Sequence, residues 1–267
     1  MQMRGQLIVL PGVSAPAAPG AVKLNISAAD RVAATMPYMH RAMSPKSLMA
    51  LPGGGVSGFC RVTGEALIQK GAVPSILRIE SVGGKPALAF SADDSLGGLA
   101  FQPGSATKSY TVAMVVNLPV VTNRVNLMMS FTDEAPIATV LRYDVTVASP
   151  EVKRLLSYGG SNTPPVAETP VTAGAWAVVV ADYDDKTRKV SVAVNQVATF
   201  AEIVKSANHL VEPTGYFEIG YHTSGNSLRL AKVGDTYLFS ESLRTSPDGL
   251  AKLGQLVAAL KTEYGIA

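Results

Sequence analysis

Between residues 139 and 148 apolar and polar positions alternate. Leu141, Tyr143, Val145 and Val147 fall on one side of an extended chain, and Val140, Arg142, Asp144 and Thr146 on the other. A period of two predicts a half-buried strand. From about residue 56 the same kind of pattern recurs. Ile76–Glu80 and Ala87–Phe90 flank the turn Gly83-Gly84-Lys85-Pro86, and Tyr110–Asn117 and Val125–Phe131 have strand-forming compositions. Trp176–Asp182 is almost wholly apolar and reads as a core strand. Asp184–Thr187 forms a turn, and Lys189–Val194 follows with Val190, Val192 and Val194 inward, a hairpin signature. Tyr216–Tyr221, Ser227–Val233 and Asp235–Ser240 continue the series. No crossover helices separate these strands, which disfavours a parallel sheet and predicts an antiparallel sandwich or jelly roll.

Two stretches have the helical period. Ala28–Met36 is a short candidate, ended or kinked by Pro37. At the other end Leu250, Leu253, Leu256, Val257, Leu260 and Tyr264 share one face. Ser246 supplies the cap of that helix, Pro247 its first position and Gly265 its stop. Residues 11–22 are rich in Pro, Ala and Gly, and Leu51-Pro-Gly-Gly-Gly55 is the best boundary. The expected organisation is an irregular arm over residues 1–55 and an all-β domain over 56–267. Met36, Met39, Met43 and Met49 form a loose apolar series in the arm, suited to packing either on a partner or on the domain itself.

Composition narrows the class. The chain has 267 residues, 47% hydrophobic and 16% charged, enough for a sizeable core and too little polarity for disorder. No unbroken apolar run exceeds Ala175–Ala181, far short of the roughly 20 residues that span a bilayer. Leu7–Leu10 is too short for a signal-peptide core. Cys60 is the only cysteine, which excludes a disulfide framework and fits assembly in a reducing compartment. The net charge is only +3, yet residues 1–60 hold five basic residues against Asp30 alone. A basic arm could meet an acidic partner; scattered solvated charges explain it equally. No stretch has the dense Lys/Arg with interleaved aromatics of a nucleic-acid site.

Several segments together resemble the concanavalin A-like, laminin-G-like jelly-roll family. Gly84-Lys-Pro-Ala-Leu-Ala-Phe-Ser-Ala-Asp-Asp-Ser-Leu96 resembles its G-K-P-A-L-x-F segment, and Tyr110-Thr-Val-Ala-Met-Val-Val the strand after it. Ala175–Asn195 resembles its tryptophan-led hairpin, Phe217-Glu-Ile-Gly220 its short strand, and Tyr237–Leu243 with the helix to Tyr264 its closing segment. The pieces run in family order over residues 58–265. Gln196 and Ala231 stand where the family commonly has glycine, and residues 1–50 have no counterpart. The resemblance implies the fold, a two-sheet jelly roll with a C-terminal helix. A ligand site is not inherited with it.

Candidate chemistry is sparse. Glycosidases of such a fold need acids about 5–9 Å apart across the scissile bond, and no clustered carboxylate motif is present. His40, His209 and His222 lack zinc-ligand spacing. Asp93, Asp94, Asp182 and Asp184 are weak calcium candidates, with turn capping as the blander reading; no cofactor other than calcium is expected. Arg61 beside Cys60 could lower the pKa of the thiol, but a lone buried thiol is the simpler reading. Gly53–Gly55 and Gly159-Gly160 lack the Lys-Ser/Thr partner of a phosphate loop. Tyr158 with Asn162, and Tyr221 and His222 with Asn226, supply the aromatics and amides of a glycan-binding rim, though such residues are also ordinary in loops.

Adhesion and carbohydrate recognition are what the resemblance implies. With no signal peptide and no disulfides, the expectation is a non-enzymatic bacteriophage virion protein, assembled in the host cytoplasm. It would be docked to other virion proteins through its arm, homo-oligomeric, and presented outward toward host glycans. A free-standing bacterial lectin-like module is the alternative. Neither reading involves nucleic acid or a membrane span.

Overall fold

The computed structural model describes residues 26–71, 76–90, 96–120, 124–132, 135–145, 153–159, 164–209, 211–223 and 226–267. In chain order the elements are α1 (Ala28–Ala34), β1 (Met39–Met43), β2 (Met49–Ala50), β3 (Val56–Ser57), β4 (Ile68–Lys70), β5 (Leu77–Val82), β6 (Lys85–Phe90), β7 (Gly97–Ala100), β8 (Tyr110–Asn117), β9 (Val125–Thr132), β10 (Ala135–Val145), β11 (Lys153–Ser157), β12 (Ala167–Pro170), β13 (Trp176–Asp184), β14 (Lys189–Val194), β15 (Ala201–Val204), β16 (Tyr216–Tyr221), β17 (Lys232–Phe239) and α2 (Pro247–Tyr264). The first sheet has the order β15-β14-β13-β8-β17-β6-β5, with β1 also paired to β17. The second has the order β12-β11-β10-β9-β16-β7-β4, and β2 and β3 form a small ribbon. The pairings are antiparallel, so the molecule is the expected β-sandwich.

The alternation seen in the sequence becomes the core. Leu141, Tyr143 and Val145 of β10 face Val112, Met114 and Val116 of β8, joined by Val190 and Val192 of β14. Tyr110 lies fully buried near one end, edge-on to Phe217 at 5.5 Å and tilted against Tyr183 at 5.8 Å. Cys60 is a buried free thiol. The turn between β5 and β6 uses two left-handed residues, Gly83 at φ +58° and Gly84 at φ +75°, as a tight hairpin demands. Ser227–Val233, expected as a strand, is instead a turn followed by the start of β17. Leu228 and Ala231 plug the core from that turn, with Arg229 in the left-handed region at φ +49°.

α2 forms as its sequence signals predict. Ser246 Oγ accepts from Gly249 N, Pro247 leads, and Gly265 closes the helix at φ +67°. Its apolar stripe, with Leu253, Leu256 and Leu260 fully buried, covers the outer side of the first sheet over Val115, Val178, Val180 and Phe239. Each such leucine contributes about 1.5–3 kcal/mol of burial free energy. Among the described residues no helix is long and apolar enough to cross a membrane.

The described part of the segment read as an arm, residues 26–50, is built into this layer. α1 starts with a capping box: Ser27 Oγ accepts from Asp30 N, and Asp30 Oδ2 from Ser27 N at 2.9 Å. Ala29, Ala33 and Met36 join the cluster under α2, Met43 enters the core, and Met49 stays exposed. Buried polar groups fix the contact. Asp30 Oδ1 accepts from Arg61 Nη1 at 2.7 Å and from Tyr237 Oη at 2.9 Å. Nearby, Tyr264 Oη accepts from Asp235 N and donates to Asp235 Oδ2. The sequence left packing on the domain or on a partner open, and the Asp30–Tyr237 bond that fixes this segment joins residues 207 positions apart. Residues 1–25 lie outside the described residues.

Candidate functional site

The outer side of the second sheet, away from the core, carries an unusual density of rings and charged groups. At the end of β16, Gly220 takes φ +94° and turns the chain back over the sheet; a Cβ there would meet Ser227 Oγ at 2.8 Å and Gly97 O at 2.9 Å. Ser227 Oγ pins the turn by donating to Gly97 O and accepting from Tyr221 N. The returning segment places His222 over Glu218. The His222 backbone N–H donates to Glu218 Oε1 at 2.8 Å, and Nδ1 lies 2.6 Å from Oε2. Glu218 is fully buried, and this pairing satisfies both of its side-chain oxygens. The His222 ring stacks on Phe131 at 4.7 Å, Phe131 stacks on Tyr216 at 5.3 Å, and Tyr221 leans on Phe131 from the side. Lys70 sits over the Tyr216 ring.

A polar corner adjoins this cluster. The Asn226 carbonyl accepts from both the backbone N and the Nδ2 of Asn126, each at 2.8 Å. Asn126 pairs across the ladder with Arg142 of β10. Arg142 donates to Asp144 Oδ2 at 2.9 Å, and its guanidinium lies 4.6 Å from the centre of the Tyr158 ring. Arg124 reaches the same Asp144 oxygen at 3.8 Å and is half exposed. Arg229 donates to Asn226 Oδ1. Burial pushes the Arg142 guanidinium below its ordinary value, an effect reinforced by Arg124 and opposed by Tyr158 and Asp144. It remains a cation at neutral pH.

The structure therefore joins four sequence candidates. Tyr221, His222 and Asn226 share one connection, and Tyr158 is linked to them through Arg142 and Asn126. Tyr158 and His222 are largely buried, with one face of the Tyr158 ring taken by Arg142. Asn162 lies outside the described residues. The sequence reading missed Arg124, Asn126 and Arg142 as site residues. The alternation over 139–148 did put Arg142 and Asp144 on one side of a strand, but the neighbour of that strand was not legible.

Of the four carboxylates considered for calcium, Asp182 and Asp184 accept hydrogen bonds from the protein itself. Asp182 Oδ2 accepts from Thr111 Oγ1 at 2.6 Å and Oδ1 from Ser242 Oγ at 2.9 Å. Asp184 closes its turn by accepting from Lys186 N and Thr187 Oγ1, which is the capping role. Asp93 and Asp94 lie outside the described residues. Among the described residues no three His, Cys, Asp or Glu gather where they could hold a metal ion.

Asp182 carries a testable consequence. Burial pushes its carboxyl up to about 6 against the two hydroxyl bonds and the charge of Arg244, which favour ionisation. An unfolded aspartate titrates near pH 3.9. Folded Asp182 holds its proton more tightly, so its stabilising contribution is full below about pH 4 and is lost as pH rises toward 6. The expected change is about 2–3 kcal/mol. Denaturant unfolding of the natural chain and Asp182→Asn at pH 4, 5, 6 and 7 should give a stability difference that shrinks with rising pH. A pH-independent difference would refute this assignment.

No family model and no curated protein sequence matches the chain. Solved structures do share its fold. Domain 4 of AbnA, a GH43 extracellular arabinanase from Geobacillus stearothermophilus solved with arabinotriose, superposes with a TM-score of 0.52 at 11% identity, covering 82% of this chain and 99% of that one. Trypanosoma rangeli sialidase gives 0.52 at 14% identity over 85% of this chain and 33% of its own. A mutant of that sialidase displaying trans-sialidase activity gives 0.54 at 13% identity over 88% and 37%. The chain thus spans about a third of the sialidase chains. At these identities the likeness establishes the β-sandwich fold alone. It also corrects the non-enzymatic expectation. Chains with this fold include a sialidase, so the absence of a clustered carboxylate motif is no ground for setting glycosidase chemistry aside.

Proposed function

We propose that this chain is a carbohydrate-binding β-sandwich domain and that its polar corner recognises a glycan bearing a carboxylate. The supporting observation is convergence: Arg124, Asn126, Arg142, Tyr158 and Asn226 come from four separate segments to one place on the second sheet. Two guanidiniums, Arg124 and Arg142, share the one carboxylate of Asp144, which leaves a cationic edge at the corner, and Arg229 bonds Asn226 beside it. Guanidiniums match a sugar carboxylate in a two-bond geometry, and amides bond ring hydroxyls. Tyr221, against Phe131 on the adjoining ring cluster, adds an aromatic surface next to the corner's own connection. That two of the similar structures were solved as an arabinanase domain and a sialidase agrees with a saccharide ligand.

Titration with uronic- and sialic-acid oligosaccharides tests this. Arg124 is half exposed, so Arg124→Glu should leave the melting temperature unchanged. It should weaken acidic glycans by about tenfold or more, the size of one lost charge-assisted hydrogen bond. Unchanged affinity in that variant, or no acidic glycan bound by the natural chain, overturns the proposal. A virion setting would add docking through residues 1–25, since residues 26–50 are occupied within the sandwich. None of the similar structures named above is a virion protein, and the proposal stops at glycan recognition.

A further inference from the structure

Where β12 leaves the second sheet and β13 enters the first, an open cleft of about 640 Å³ lies between residues 169–172, 175–177, 194–196 and the cap of α2. It shares no residue with the polar corner. Its size is that of a small-ligand site, for which about 300–1,000 Å³ is usual. Among the described residues its wall contains no ionisable side chain.

Three features give the cleft a chemical preference. Trp176, the only tryptophan of the chain, is half-buried and held rigidly: Nε1 donates to Val82 O, and the ring meets Tyr264 edge-on at 5.0 Å. Asn195 sits in the left-handed region at φ +59°, where its Oδ1 accepts from Val178 N at 2.8 Å. That bond orients the amide and leaves Nδ2 as a donor. The Thr169 and Thr172 hydroxyls bond to no described group, whereas both ends of the Gln196 amide are committed to Thr199.

We propose that this cleft is a second ligand site, selective for an uncharged sugar residue. The apolar face of a pyranose or furanose ring would lie on the Trp176 indole, and its hydroxyls would bond Asn195 Nδ2, Thr169 Oγ1 and Thr172 Oγ1. A sugar carboxylate would lose water here and meet no cation among the described lining residues, so the cleft disfavours the acidic glycans that the polar corner prefers. This inference does not depend on the corner.

Trp176 is its own reporter. The full-length chain is titrated with neutral pentoses and hexoses and their short oligosaccharides, and in parallel with uronic acids, while tryptophan emission is followed. A saturable change in the millimolar range is expected for at least one neutral sugar, with about tenfold weaker response to the matching uronic acid. Thr172 is exposed, so Thr172→Arg should preserve the melting temperature, fill the cleft mouth and abolish the response. Arg124→Glu should leave the response intact, which separates this site from the corner. No saturable change with any neutral sugar, persistence in Thr172→Arg, or equal response to uronic acids would each overturn the proposal.

Discussion

Asp30→Ala is expected to lower the stability of the entire sandwich by about 3 kcal/mol, the usual scale for removing one member of a partly buried ion pair. The substitution removes three interactions at once. It takes the acceptor from Arg61 Nη1 and Tyr237 Oη, and it opens the capping box at Ser27 N. Tyr237 is the sensitive partner. Its ring lies under the two helices, and burial, with Asp235 and Asp30 beside it, drives its hydroxyl far above the ordinary tyrosine range. It therefore stays neutral and needs an acceptor. Without Asp30 a buried donor goes unmade, and Arg61 loses its counter-charge. For a chain of this size the melting temperature should fall by roughly 6–12 °C. Asp30→Asn keeps an acceptor oxygen and an N-cap partner and should cost roughly half as much. Calorimetry decides the matter. If residues 26–50 were a separable arm, Asp30→Ala would leave the main transition where it was.

Gly98→Ala should have the largest effect on the candidate site. A Cβ at Gly98 would overlap the Glu218 carboxylate, with Cδ at 2.6 Å and Cγ at 2.7 Å. Glu218 cannot swing clear, because it is fully buried and both its oxygens are engaged by His222. One added methyl therefore breaks the Glu218–His222 pair and loosens the returning segment that carries Tyr221, His222 and Asn226. The expected cost is about 3–5 kcal/mol, that of breaking a buried pair, with loss of acidic-glycan binding at the corner. Gly97→Ala is the control. The nearest atom to its Cβ would be Lys70 O at 3.4 Å, an ordinary contact, so a cost below about 1 kcal/mol is expected. Equal losses in the two variants would show that strand β7 merely resists any side chain. This pair of glycines also explains why Gly97–Ala100 has no strand signature in the sequence. Two glycines lower strand propensity, and at Gly98 glycine is required because a buried carboxylate lies against the backbone.

Periodic segments were legible because their signal is local. The hairpin of β13 and β14, the alternation of β10, the turn at Gly83-Gly84 and every cap of α2 can be read from a few adjacent residues. Irregular or short strands were not. β1, β4, β7, β11, β12 and β15 have five residues or fewer and exist because a neighbour pairs with them. β10 shows the limit within a legible strand. Its ladder with β9 shifts register between Thr139 and Leu141, so Val140 faces the core although strict alternation places it beside Arg142.

The sequence by itself determined the class of molecule: an antiparallel β-sandwich closed by an amphipathic helix, without a disulfide framework. It also named the loops rich in tyrosine and asparagine. Tertiary structure alone decided that Tyr158 and Asn226 belong to one corner, that residues 26–50 are part of the sandwich, and that Trp176, read as core, lines an open cleft. The reason lies in the range of the forces. Burial period and capping act within one or two turns of chain, whereas a site on a sheet is set by strand order and register. A shift of one residue in a ladder would turn Arg142 and Asn126 to the opposite face.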